Sequence, residues 1–102
     1  MITLAELKTA FKDFSYFYGS APIGTALPYL VATNNGSNNF TADNKVFSPL
    51  EGIQLEFYSV SKDETKEGTI EGILDGLDIP YEKQEAFDED QSFYLTIYTF
   101  WR

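Results

Sequence analysis

Ile53-Gln54-Leu55-Glu56-Phe57-Tyr58, then Ser61-Lys62-Asp63-Glu64, then Ile70, Ile73, Leu74 and Leu77: the succession over residues 53–77 decides the fold class. In the first run apolar and polar residues alternate, which is the period of a strand with one buried face. The second run sets Ser61 three residues before Glu64, a capping box that predicts a helix start. The third returns at intervals of three and four, the apolar stripe of an amphipathic helix. Asp63, Glu64 and Glu67 fall in its first turns, where the helix dipole favours acids. Gly76 suits the residue just past the helix end, and Pro80 prevents resumption. Gly68 and Gly72 share a face within the helix, which suits either close approach of another backbone or no constraint at all.

Toward the N-terminus, Thr3-Leu4-Ala5-Glu6 is a second capping box, and Leu4, Leu7, Phe11 and Phe14 continue at helical spacing. A first helix is expected over about residues 4–14. Ser15 to Tyr18 is β-prone, and a loop bearing Pro22 and Gly24 leads to an expected strand over Pro28–Thr33. Asn35-Gly36 is a hairpin signal. The polar stretch of about 34–49 is too long for an ordinary connection and reads as a loop or arm. Phe40 and Phe47 within it could anchor a partner or tuck back onto their own domain.

Toward the C-terminus, strands are expected over Tyr81–Phe87 and Phe93–Trp101, with Asp88-Glu89-Asp90-Gln91 as the turn. The last is apolar on both faces, so it is buried on both sides or lies at an interface. The whole reads as one α+β domain, residues 1–102. It has an antiparallel or mixed sheet of four to five strands, two helices packed on one face, and a long loop or hairpin arm.

Composition narrows the function. The chain lacks Cys and His, which removes disulfides, thiolate chemistry, and the commonest general base and transition-metal ligand. Met1-Ile2-Thr3-Leu4 lacks the basic and apolar regions of a signal peptide, and no run approaches the ~20 apolar residues of a membrane helix. Nine Phe, seven Tyr and one Trp are many for this length; either some face a partner or the tyrosines decorate strands. Net charge is −9, with zero over residues 1–50 and −10 over 51–90. That balance repels nucleic acid and anionic membranes. Seven scattered bases form no basic stripe.

Acid pairs such as Asp75 with Asp78, or Asp88-Glu89-Asp90, fall at a helix end or in a turn rather than in a cleft, which a two-carboxylate hydrolase requires. The ligand ladder and glycine of an EF-hand are missing, and no Gly-rich segment precedes a helix as in a phosphate cradle. No catalytic residue, metal or cofactor is expected. The chain reads as one that binds or assembles.

Gly36-Ser37-Asn38-Asn39-Phe40-Thr41-Ala42-Asp43-Asn44-Lys45-Val46-Phe47 resembles the SNNFxADNKVY segment of tail-completion proteins from siphophages of Gram-positive bacteria. Ile53 to Tyr58 is similar to their strand xIELY, Lys62-Asp63 followed by Ile70 to Asp75 to their next helix, and Ile79-Pro80-Tyr81-Glu82-Lys83 to IPYEK. The likeness keeps order and spacing over roughly residues 27–100. It departs at the N-terminal third and where an acidic ESE is here Asp88-Glu89-Asp90.

The resemblance implies a virion structural protein at the head–tail joint, made in the host cytoplasm. Such a subunit forms a homo-oligomeric ring, a hexamer in tail terminators, that caps the tail tube. Its partners are other copies of itself, the major tail protein and a head-closure protein. DNA passes through without specific binding, and no membrane is involved. The expected contacts are Asn39, Phe40, Asp43, Asn44, Lys45, Phe47, Tyr58, Tyr98 and Trp101. The acids expected on a lumen or surface are Asp63, Glu64, Glu67, Glu71, Asp88, Glu89 and Asp90. Two alternatives remain open: a head-closure or connector component, and an acidic DNA mimic that inhibits a host enzyme.

Overall fold

The computed structural model of the chain describes residues 2–42 and 45–102, with side chains described outside 35–50. Its elements are helix α1 (Leu4–Ala10), strands β1 (Tyr16–Tyr18), β2 (Tyr29–Ala42) and β3 (Lys45–Ser59), helix α2 (Glu64–Gly76), and strands β4 (Glu82–Asp88) and β5 (Phe93–Trp101). The strands make one sheet in the order β1-β2-β3-β5-β4. β1 runs parallel to β2 and every other pair is antiparallel, so the sheet is mixed. The fold is α+β: one sheet and two helices.

Register explains which face carries the helices. Leu55 lies between Ala32 and Tyr98, and Phe57 between Leu30 and Thr96. All of these are fully buried. Leu7 and Phe11 from α1, and Ile70 and Leu74 from α2, complete one cluster with them. Both helices therefore cover the same face, as the alternation of Ile53, Leu55 and Phe57 requires.

The two capping boxes fare differently. At α1 the box forms: Glu6 N donates to Thr3 Oγ1 at 3.0 Å and Thr3 N to Glu6 Oε1 at 3.3 Å. The helix is shorter than the apolar spacing predicts. Lys12 N reaches back only to Thr9 O, and Phe14 N to Phe11 O, so the chain tightens after Ala10. That tightening brings Phe14 edge-on to Phe57, at 6.5 Å between centroids, and stacks Tyr16 on Phe11 at 6.2 Å.

At α2 the cap is Asp63 rather than Ser61, with Asp63 Oδ1 accepting from Lys66 N at 3.0 Å. Nor does Gly76 close the helix. It is the last helical residue, and Asp78 takes the left-handed position at φ 56°. Asp78 N donates to Asp75 O and Ile79 N to Leu74 O, the paired bonds of a Schellman ending, and Ile79 packs against the core. Leu77 then turns outward and is 41% exposed.

Gly68 and Gly72 point away from the core, and a methyl group built on either meets nothing within 4 Å. Among the described residues no backbone approaches them. Gly68→Ala and Gly72→Ala are each expected to raise the unfolding free energy by about 0.5–1 kcal/mol, because Ala loses less backbone entropy in a helix. Urea unfolding at an unchanged m-value checks it; a lowered midpoint would refute it.

The stretch of about 34–49, expected as a loop or hairpin arm, is a paired extension of the sheet. It continues β2 and β3 as a ladder, with Ser37 opposite Glu51, Asn39 opposite Pro49 and Ala42 opposite Lys45. Asn35-Gly36 is not the hairpin turn. The pairing passes from Asn34–Ile53 to Ser37–Glu51, so Asn35 and Gly36 face Gly52 alone, as in a bulge.

Candidate functional site

Strand β5 pairs with β3 only from Gly52 to Ser59. Beyond that point no third strand pairs with the ladder of β2 and β3 among the described residues. The segment from Ser37 to Ala42 and its return form a two-stranded ribbon that projects about 20 Å at strand rise. Its base is clamped. Glu51 and Arg102 exchange backbone bonds of 2.9 Å in both directions. The Arg102 guanidinium also donates to Glu51 Oε1 through Nε at 3.1 Å and Nη2 at 2.8 Å, while its Nη1 reaches Ile2 O at 3.1 Å.

Asn39, Phe40, Lys45 and Phe47 lie on the ribbon's two strands. Their side chains are outside the described residues, and Asp43 and Asn44 lie outside them altogether.

The second component is the sheet face that neither helix covers. By register it carries Phe17, Tyr29, Val31, Thr33, Gln54, Glu56, Tyr58, and Phe93, Leu95, Ile97, Thr99 and Trp101. Trp101 is 46% exposed beside Gly52, at the ribbon's base. Tyr58 lies at the other end, in an aromatic row. Phe17 meets Tyr29 edge-on at 6.3 Å, Tyr29 stacks on Tyr58 at 4.9 Å, and Phe93 meets Tyr58 edge-on at 5.2 Å. Within this row sits Glu56. Its Oε1 accepts from Tyr58 Oη at 2.8 Å and its Oε2 from Gln54 Nε2 at 2.6 Å. Burial, then the bond to Glu56, pushes the Tyr58 phenol well above its ordinary pKa. Residues 19–21 on one side and Gln91 on the other wall a hollow of about 360 Å³ over these rings.

Of the expected contact residues, the structure thus places Tyr58 and Trp101 on this open face. Tyr98 is corrected. It is fully buried on the helix-covered face, and its hydroxyl donates to Glu71 Oε2 at 2.8 Å. A strand apolar on both sides leaves its core face undecided until helix positions are known.

The expected acidic surface also loses one member. Glu67 is only 2% exposed, its Oε1 bound by Lys62 Nζ at 2.6 Å and Lys83 Nζ at 2.9 Å. Lys83 also pairs with Glu71 at 2.8 Å, and Lys62 with Glu85. Asp63 is the helix cap, Glu64 is exposed, and Asp88, Glu89 and Asp90 cluster where β4 turns into β5. Among the described residues no group of three or more acids is placed to hold a metal ion, and no helix is long and apolar enough to cross a membrane. Compared with known proteins, the chain matches no family model and no curated protein.

Proposed function

We propose that the chain is a structural subunit that assembles into a homo-oligomeric ring, a hexamer, at the head–tail joint of a phage particle. There it caps the tail tube and lets DNA pass. Its role is to assemble, not to catalyse. The observation that carries the assembling role is the ribbon. A two-stranded hairpin in water is marginal by itself, and this one leaves its sheet with its base clamped by Glu51 and Arg102. Such a ribbon suits docking on a neighbouring molecule, and its unpaired strand edges offer backbone groups to that neighbour. The open face with Trp101 and Tyr58 lies beside it. A closed ring needs two different surfaces on each subunit, and ribbon and face can serve as the two.

The head–tail position rests on the resemblance of residues 36–47 and the segments after them to tail-completion proteins. Exposed acids on α2 and β4 suit a DNA conduit, since like charge keeps phosphates from adhering. The DNA-mimic reading is weaker, because Glu67 and Glu71 are held in ion pairs rather than displayed.

Native mass spectrometry and light scattering, on the chain alone and mixed with the tail-tube protein of the same phage, test the proposal. A ring in isolation, or one closing on the tube, is expected. A strict monomer that binds neither tube nor head connector would overturn it. Electron cryomicroscopy of the particle separates a terminator from a head-closure position.

A further inference from the structure

The hollow over the aromatic row has chemistry of its own. Three rings, Tyr29, Tyr58 and Phe93, surround it at centroid spacings of 4.9 Å and 5.2 Å, and one carboxylate, Glu56, stands among them. We propose that this hollow is a recognition site for an arginine side chain presented by a partner protein. The inference goes beyond the ring assembly and holds whatever oligomer the chain forms.

Three observations carry it. The first is the aromatic arrangement. Ring faces attract cations through their quadrupoles, and a flat guanidinium also stacks on them. The Tyr29–Tyr58 stack with Phe93 set at 78° to Tyr58 supplies faces in two directions.

The second is the state of Glu56. Each of its oxygens accepts one hydrogen bond, Oε1 from Tyr58 and Oε2 from Gln54. A carboxylate has about four lone-pair sites, so each oxygen keeps roughly one more. Two acceptors side by side match the fork of a guanidinium, whereas a lysine ammonium engages them as a single point. The bonds from Tyr58 and Gln54 also hold the carboxylate in place before any ligand arrives.

The third is the charge of the face. By register its charged side chains among the described residues are Glu56, Glu82 and Asp88, all acidic. Phe93 also borders a second hollow, lined by Asp88, Glu89 and Asp90, so the field around the rings favours a cation.

The probe is capped arginine, N-acetyl-arginine-N-methylamide, titrated into the full chain and followed by aromatic NMR shifts. Saturable shifts centred on Tyr29, Tyr58 and Phe93 are expected, with weaker binding of the capped lysine analogue and none of capped norleucine. Glu56→Gln removes the charge, and Phe93→Leu keeps an apolar wall without a ring. Each is expected to weaken binding about tenfold, while unchanged amide spectra show that the fold survives. Absence of saturable shifts on the unaltered chain would overturn the site. So would norleucine binding equal to arginine, which would mark a merely apolar hollow. Equal binding of lysine would overturn the assignment to arginine.

Discussion

Phe57→Ala is expected to lower the unfolding free energy by about 3–5 kcal/mol, the cost of emptying a buried aromatic site. A domain of this length holds about 5–15 kcal/mol in total, so the variant loses a large part of its margin. The position explains the size. Phe57 is fully buried in the central strand, flanked by Leu30 and Thr96, with the Phe14 ring edge-on to it. Its side chain links the sheet to the segment after α1, so the cavity would open beneath both. Water would not rescue the site. The Thr96 hydroxyl is buried there without a hydrogen-bond partner among the described residues, but a stable internal water needs two to four polar partners. Phe57→Leu keeps most of the volume and is expected to cost less than half as much. Urea unfolding of both, followed by far-UV dichroism and Trp101 fluorescence, gives the two numbers. A loss below about 1.5 kcal/mol for Phe57→Ala would mean that the surrounding side chains collapse into the space.

That core was legible in the sequence because burial imposes a period. Ile53, Leu55 and Phe57 alternate with polar residues, and Ile70 and Leu74 return at helical spacing, so fold class and the helix-bearing face followed. For the same reason the ribbon was legible only as a loop or hairpin arm, without its register. It leaves the core, so no buried face stamps a period on Ser37 to Ala42, and the polar run resembles a loop. Asn35-Gly36 misled as a turn because a bulge draws on the same residue types. Asp78 ends α2 in the left-handed position although Gly76 is the better candidate on conformational grounds, since the buried stripe sets the length: Leu74 and Ile79 close on each other across the ending. The aromatic hollow was beyond reach altogether. Tyr29, Tyr58 and Phe93 come from three strands, and only the register brings them together. Composition could announce surplus aromatic rings; it could not say where they meet.

Glu67→Gln is expected to lower stability at neutral pH by about 1–2 kcal/mol and, more tellingly, to flatten its dependence on acid. Truncating one partner of a fully buried ion pair costs about 3–5 kcal/mol, but Lys62 and Lys83 are each 33% exposed and keep Glu85 and Glu71, so they are not stranded. The pH dependence follows from opposed effects on one carboxyl. Burial works to raise its pKa, yet the hydrogen bonds and charges of Lys62 and Lys83 outweigh burial and hold it below the ordinary value. Glu71 is lowered as well, first by its bond from Lys83 and, against partial burial, by the bond from Tyr98. Both groups release protons more readily in the folded chain than in the unfolded one. Their contribution is therefore fully present above the unfolded value of 4.5 and is lost as pH falls from there through the folded values. The lysines act at the opposite limit. Lys62 is raised by its bonds to Glu67 and Glu85, and Lys83 by its bond to Glu71, so their share is lost only as pH rises past 10.5. Between these limits the cluster is fully ionised, and only the acid limb is within easy reach. Each proton taken up there steepens the limb by at most about 1.4 kcal/mol per pH unit, and Glu67→Gln removes one of them. Urea unfolding of both proteins from pH 7 down to pH 3 reads the difference directly. Acid limbs that run parallel would show that Glu67 is not held ionised by its two lysines, and the account of the cluster would fail with it.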